Sequence, residues 1–218
     1  PIALKGAAPH WRPAGLATDF LPPPPHVEVK DGAVIQLLGS SLDVSCGVDW
    51  DDSEHGPLFA YHLHQFDFAR HVSVSPESRL TWMLDWIARH PQGTGWDPHP
   101  LGLRIISWGK MLRTVGALPE RAGADPRLRE ALARQIETLS RNLEVRLQAN
   151  HLLSNLIGVV FGGLLFEGAE AQRWLGYWPQ LKEELARQVP GDGLHQERSP
   201  MYHALLFENV LRVSEVYT

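Results

Sequence analysis

The sequence predicts an all-α fold of about seven helices that follows an irregular N-terminal arm. Apolar residues recur at helical spacing from Pro57 onward, Ser-Pro or Asp-Pro pairs punctuate this pattern, and the connections between helical stretches are mostly short. Short connections favour antiparallel neighbours, so the helices should pack around one core. The predicted helices span residues 57–69, 76–90, 98–115, 126–149, 151–166, 170–188 and 200–217.

The arm comprises residues 1–50, and the predicted helical domain comprises residues 51–218. The arm is rich in Pro and Gly, with four consecutive prolines at 22–25, and both residue types interrupt regular structure. Only residues 33–38 have the composition of a short strand. We therefore expect a mostly irregular segment before the first helix.

Four predicted helices are preceded by a Ser or Asp followed directly by Pro. The Ser or Asp side chain can cap free backbone amides, and Pro at the first helical position sacrifices no hydrogen bond. Each pair therefore predicts a helix start. The pairs are Ser75-Pro76, Asp97-Pro98, Asp125-Pro126 and Ser199-Pro200.

The stretch 152–166 is apolar on nearly every side and should be the most deeply buried helix. Gly158, Gly162 and Gly163 would let neighbouring helices approach it closely. Ser154 and Asn155 interrupt the stretch, which is also too short to cross a bilayer. No membrane span is therefore predicted.

Composition and motifs argue against nucleic acid as a partner, against an internal disulfide, and against a bound metal. The 218 residues carry a formal net charge of −5, so the whole molecule does not attract nucleic acid. Cys46 is the single cysteine and cannot form an internal disulfide. Neither a CxxC nor an HExxH motif occurs, so we predict no metal and no cofactor.

Counting helices places a set of polar and aromatic residues at one end of the molecule. If successive helices are antiparallel, those that begin near residues 57, 98, 151 and 200 start at the same rim. That rim is where we expect a site. It collects Tyr61, His62, His64, Trp96, His99, Asn150, His151, Tyr202 and His203.

Asn150 and Tyr202 each have a structural and a functional interpretation. Asn150 lies between two helical patterns, where an Asn can cap the following helix. Tyr202 falls in the first turn after Ser199, where the helix N-terminus would favour a phenolate, although a tyrosine there can also simply pack by its ring. His64 also has two interpretations: it is either a core histidine whose hydrogen bonds are made within the protein, or a residue that contacts the substrate. Trp96, in the loop before residue 98, is a candidate to stack on a sugar.

Four ordered strings resemble the N-terminal helical domain of the heparinase II/III-like polysaccharide lyases, with a match from about Gly32 to the end of the chain. They are HLHQFDFARH (62–71), WDPHPLGLRIISWGK (96–110), LQANHLLSNLIGVVFGGLLFEG (147–168) and DGLHQERSPMYHALLFENVL (192–211). The resemblance implies an incomplete (α/α) toroid. It also implies an acidic polysaccharide substrate that contains uronic acid and is cleaved by β-elimination.

The resemblance assigns roles to individual residues. Asn150, assisted by His151, matches the position that neutralises the substrate carboxylate, and Tyr202 matches the base that removes the C5 proton and then protonates the leaving oxygen. His64 matches a histidine for substrate binding or support. Arg198, Trp96, His99 and His203 are further substrate-binding candidates by proximity to these positions.

The resemblance also implies a β-sandwich domain that covers the cleft in the family and is absent from this chain, which alone could bind without turnover. It suggests a periplasmic or secreted protein, although this chain shows no signal peptide.

Two alternatives stay open from the sequence. A toroidal glycoside hydrolase would need two opposed carboxylates, for which Asp97, Glu197 and Glu208 are available, although Asp97 is better explained as a helix cap. A non-catalytic helical module that binds a glycan or a partner protein would need neither carboxylates nor a base.

Overall fold

A computed structural model describes residues 1–13, 27–90, 92–146, 150–196 and 198–217. The described part is mostly helical and begins with a small sheet. The strands are β1 (Val27–Lys30), β2 (Val34–Leu37) and β3 (Ser40–Asp43). The helices are α1 (Pro57–Gln65), α2 (Pro76–Arg89), α3 (Pro98–Arg113), α4 (Pro126–Ser140), α5 (Asn150–Leu164), α6 (Ala169–Leu175), α7 (Trp178–Gln188) and α8 (Pro200–Tyr217).

The predicted helices are present, with two corrections. The helix predicted over 126–149 ends at Ser140, where the Asn142 side chain donates a 2.6 Å hydrogen bond to the Thr138 carbonyl and helps to end the helix. The helix predicted over 170–188 is two helices, α6 and α7. Pro179, in the first turn of α7, has no N–H for a helical bond to the preceding turn, so a new helix begins there.

The arm contains more regular structure than its composition indicates. The strand predicted over 33–38 is β2, and β1 and β3 pair with it in antiparallel fashion on either side. The connection from β1 to β2 has positive φ at Asp31 (52°) and Gly32 (69°), as a tight hairpin turn requires. The prolines at 22–25 lie outside the described residues.

The sheet and the helices share one hydrophobic core. Ile35 and Leu37 of β2 are buried together with Trp50 and with α1 side chains such as Leu63. The buried face of the sheet therefore belongs to the same core as the helices. The division of the chain into an arm (1–50) and a helical domain (51–218) stays a prediction.

Helix α5 is the centre of the molecule, as its apolar sequence predicts. Its residues are buried from Leu153 to Leu164, and it packs against α3, α4, α6, α7 and α8. At Gly158 a methyl group would lie 2.9 Å from the Cα of Gly102, so the α3 and α5 backbones approach too closely for any side chain there.

The first residues of the chain cross the junction between α5 and α6. The Trp11 ring stacks on Phe166 with 4.5 Å between centroids, and its indole N–H donates to the Gly123 carbonyl over 3.0 Å. The Arg12 N–H donates to the Leu165 carbonyl, and the Glu167 N–H donates to the His10 carbonyl. These contacts anchor the beginning of the chain to the residues that directly follow its most buried helix.

Two of the predicted helix caps are confirmed and one is wrong. Ser75 accepts a hydrogen bond from the Ser78 N–H, and Asp125 accepts one from the Arg127 N–H. Asp97 precedes α3 with extended backbone but makes no capping bond, because its carboxylate is bound to Tyr61. In the described segments, no helix combines the length and the apolar character needed to cross a bilayer.

Candidate active site

The beginnings of α3 and α5 meet at one end of the molecule, as the helix count predicts. The imidazole rings of His99 on α3 and His151 on α5 lie 4.9 Å apart between centroids, at an interplanar angle of 41°. Helix α1 packs beside α3 and brings Tyr61 and His62 to the same end. The structure thus gathers side chains from three helices that are distant in sequence.

His151 is held by a carboxylate from the loop that precedes α5. Its Nδ1 lies 3.3 Å from Glu144 Oε1, while Glu144 Oε2 accepts a 3.1 Å hydrogen bond from the Asn155 side chain. The Asn155 side-chain oxygen accepts the Glu144 backbone N–H over 2.9 Å. Asn155 is fully buried, so Glu144 is tied to the core on one side and to the more exposed His151 on the other.

His99 is held in its neutral form. Burial, with smaller contributions from charge repulsion by the neighbouring His151 and His62, lowers its pKa to about 4. Its Nδ1 is buried and has no hydrogen-bond partner among the described residues. At neutral pH His99 is therefore an uncharged, half-buried ring against one side of His151.

Tyr61 and Asp97 form the second polar contact of this end. The Tyr61 hydroxyl donates a 2.7 Å hydrogen bond to Asp97 Oδ2. That bond, with burial and the negative charges of Asp97 and Glu144, raises the pKa of Tyr61 to about 12. Tyr61 therefore stays a phenol at neutral pH and can donate a hydrogen bond but cannot act as a base.

An open pocket of about 420 Å³ lies beside the Tyr61 to Asp97 contact. Its lining comes from the residues before α1, from α1 itself, and from the stretch between the end of α2 and the start of α3. Two of the lining residues contact each other, since Asp51 lies 3.4 Å from the Nδ1 of His90. The lining residues are Trp50, Asp51, Asp52, Ser53, Gly56, Pro57, Ala60, Tyr61, His64, His90, Thr94 and Asp97.

His64 lies at the base of this pocket as a core residue that is 1% exposed. Its Nδ1 accepts a 3.1 Å hydrogen bond from the Trp86 indole, and burial together with Arg104 and His90 lowers its pKa to about 2. Arg104, fully buried, donates to the His64 carbonyl and lies 3.9 Å above the Trp86 ring. The geometry suits a supporting role for a neutral His64 better than direct contact with a ligand.

Trp96 is half-buried, and other groups of the protein already contact its ring and its indole N–H. Its indole N–H donates to the His90 carbonyl over 3.0 Å, its ring packs against Trp86, and the Arg134 guanidinium lies 5.4 Å from its centroid. These contacts leave less of the ring for a sugar than its loop position in the sequence indicates.

Asn150 is the half-buried first residue of α5 and directly precedes His151. Tyr202 lies in the first turn of α8, which packs against α5, but its side chain lies outside the described residues. Arg198 is exposed and has left-handed backbone, with φ of 52°. His203 is half-buried, and its backbone N–H donates to the Ser199 carbonyl. Whether Asn150 and Tyr202 face a common groove therefore stays a prediction.

Sequence reasoning missed Glu144 and Asn155, and it gave Asp97 the wrong partner. Asn155 lies four residues after His151 on α5, so helical spacing could have paired them. Glu144 was hidden because it fell inside the helix predicted over 126–149, although it belongs to the loop after α4. Among the described residues, no group of three or more His, Cys, Asp or Glu side chains could hold a metal ion.

Comparison with known proteins identifies what this chain resembles. Residues 130–218 match the family model described as the heparinase II/III N-terminus, which confirms the resemblance drawn from the sequence for this region. No curated protein sequence matches the chain.

Two solved structures share the fold. One is heparinase III, at a TM-score of 0.61 and 21% identity over 81% of this chain and 30% of that one. The other is the heparan sulfate lyase HepC from Pedobacter heparinus, at a TM-score of 0.58 and 18% identity over 82% of this chain and 31% of that one. The chain thus has the fold of less than a third of each of these longer proteins.

Proposed function

We propose that this chain is the helical, substrate-binding part of a polysaccharide lyase, an incomplete (α/α) toroid that acts on uronic-acid-containing acidic polysaccharides by β-elimination. One observation carries the proposal. The family match over 130–218 includes Asn150, His151 and Tyr202, and the helices that bear them, α5 and α8, pack against each other. Both solved neighbours, heparinase III and a heparan sulfate lyase, support this class of reaction.

The first chemical requirement is to neutralise the uronate carboxylate. The C5 proton is barely acidic while that group is charged, and the charge that develops on proton removal needs prearranged hydrogen-bond donors or a cation. In this proposal the Asn150 amide donates to the carboxylate, and His151 assists it from the next position along α5. Half-burial of both residues keeps them accessible and limits competition from water.

The second requirement is a base for the C5 proton and an acid for the departing oxygen. Tyr202, in the first turn of α8, is proposed for both tasks. Tyr61 is excluded from the role of base at neutral pH, because Asp97 raises its pKa to about 12. Tyr61 is instead suited to donate hydrogen bonds beside the pocket.

The carboxylate-lined pocket next to Tyr61 suits the hydroxyl groups of a sugar. Asp51 and Asp97 can accept hydrogen bonds from hydroxyls. A further domain that closes over this end, with a histidine of its own, is part of the proposal for the whole protein. The chain spans about 30% of the length of heparinase III, which leaves room for such a domain.

The full-length protein provides the test. It is incubated with heparan sulfate, unsulfated glycosaminoglycan and alginate, while the ultraviolet absorbance of the unsaturated uronate product is followed. We expect absorbance and new chain ends to increase together. New reducing ends without absorbance would identify a hydrolase, and binding without either product would identify a non-catalytic module.

A pair of matched variants tests the base. Tyr202→Phe removes only the phenolic hydroxyl, so it should abolish turnover while substrate binding remains. Tyr177→Phe is the control, because the Tyr177 hydroxyl is already used in a hydrogen bond to the Ser140 carbonyl within the protein. Normal turnover by Tyr202→Phe would refute the assignment.

A further inference from the structure

Glu144 stands out as a carboxylate with two separate partners at the beginning of α5. One oxygen contacts His151 and the other accepts from Asn155. The Glu144 side chain is 16% exposed and that of His151 is 43% exposed, so the contact runs from the interior toward solvent. We propose that Glu144 is a positioning residue that acts through His151, an inference that rests on the proposed lyase function.

The contact determines which nitrogen of His151 is available. A carboxylate can only accept hydrogen bonds, so Nδ1 carries the proton that faces Glu144. Nε2 is then on the opposite side of the ring and can serve a ligand. The His99 ring, 4.9 Å away, restricts rotation on one face. Together the two neighbours orient the imidazole.

The contact also places a carboxylate charge next to the His151 ring. Glu144 is the carboxylate that faces His151, while His99, the ring packed against it from α3, is neutral because burial lowers its pKa. A hydrogen bond to a carboxylate is stronger than one to a neutral acceptor, so Glu144 holds the His151 ring more firmly than an amide in its place would.

The loop is anchored so that Glu144 cannot turn away. The Asn155 side chain, fully buried on α5, receives the Glu144 backbone N–H and donates to its carboxylate. An uncharged amide in place of Glu144 has a single acceptor oxygen, so it cannot serve both Asn155 and His151. This reciprocal pair links the orientation of His151 to the core of the molecule.

The test is a double-mutant cycle in the full-length protein, with kcat and KM measured on the uronate polymer that the wild type cleaves. Glu144→Gln should lower kcat by about 10- to 100-fold with a smaller change in KM, since a charge-assisted contact is lost in the transition state. In a His151→Gln background, the same change should have little further effect.

Two further variants separate positioning from folding. The swap Glu144→Gln with Asn155→Asp keeps an acceptor and a donor between the loop and α5 but moves the carboxylate away from His151. It should remain folded and lose turnover as Glu144→Gln does. Glu77→Gln is the control, because Glu77 is an exposed carboxylate that pairs with Arg121 elsewhere.

The outcomes distinguish this inference from the proposed function. A wild type that cleaves no uronate polymer would refute the lyase function itself. An active wild type with normal kcat in Glu144→Gln, normal kcat in the swap, or losses that multiply in the His151→Gln background would overturn the role of Glu144 alone.

Discussion

The Tyr61 hydroxyl donates a 2.7 Å hydrogen bond to Asp97 Oδ2, and this bond joins α1 to the residue that begins α3. It uses an aspartate that would otherwise cap α3. The start of α3 therefore has no side-chain cap. The bond instead fixes the orientation of the Tyr61 phenol beside the pocket and keeps it protonated.

Replacing this aspartate should return Tyr61 to ordinary behaviour. In Asp97→Asn the pKa of Tyr61 should fall from about 12 toward 10, because the charged acceptor is lost. Since the folded-state pKa is the higher one, the contact stabilises the protein below pH 10, and that contribution is lost as the pH rises toward 12. Ultraviolet titration of tyrosinate, with Tyr61→Phe subtracted, measures the change. An unchanged titration in Asp97→Asn would contradict it.

His64 should make stability sensitive to mild acid. Its pKa falls from 6.5 to about 2 on folding, chiefly through burial, so its contribution is complete above 6.5 and declines as the pH falls from there toward 2. One proton taken up on unfolding changes the free energy of unfolding by about 1.4 kcal/mol per pH unit. Urea denaturation from about pH 7 to about pH 5 should show a shallower decline in His64→Gln than in the wild type. A wild-type slope in His64→Gln would contradict this prediction.

Replacing the buried carboxylate of Glu137 should lower the free energy of unfolding substantially. It is 2% exposed on α4, and it accepts hydrogen bonds from Arg141 of its own helical turn and from Arg173 and Trp174 of α6. Burial alone would raise its pKa, but these donors lower it, so its contribution is lost as the pH falls below 4.5. Glu137→Gln should cost about 2 to 3 kcal/mol, measured by urea unfolding at neutral pH.

The exposed ion pair of Glu77 and Arg121 is the matched comparison for Glu137. Glu77→Gln should destabilise the protein much less than Glu137→Gln does, because solvent screens an exposed pair. Equal losses of stability in Glu137→Gln and Glu77→Gln would mean that burial does not increase the contribution of Glu137 to stability.

Two glycines at the same helix crossing should respond differently to alanine. At Gly158 the added carbon would lie 2.9 Å from the Gly102 Cα and 3.1 Å from its carbonyl oxygen, so the backbones of α3 and α5 must separate. Gly158→Ala should destabilise by about 1 to 3 kcal/mol. At Gly102 the nearest atom would be 3.4 Å away, an ordinary contact. Gly102→Ala should be neutral or stabilising by up to about 1 kcal/mol, as thermal unfolding would show.

Asn150 tests the proposed neutralisation of substrate charge. Asn150→Asp is nearly isosteric but places a negative charge next to the uronate carboxylate, so kcat of the full-length protein should fall by at least about 100-fold. Asn142→Asp is the control, because Asn142 ends α4 through a bond to Thr138. Similar activity in Asn150→Asp and the wild type would remove Asn150 from the mechanism.

The sequence by itself determined the helices and the resemblance. Apolar spacing and the Ser-Pro and Asp-Pro pairs are local signals, and they placed α2, α3 and α8 to within two residues at each end. The four strings led to the family that residues 130–218 match. These features were accessible because helix propensity, caps and motif residues act over a few positions along the chain.

Only the tertiary structure decided how the polar residues are used. Asp97 serves Tyr61 and does not cap α3, His64 is sealed in the core against Trp86, and Glu144 reaches His151 from a loop that helical periodicity had hidden. Partners and burial depend on which distant segments pack together, and desolvation then determines the charge of each group. Neither the partners nor the charge of these groups can be predicted from the spacing of residues along a single helix.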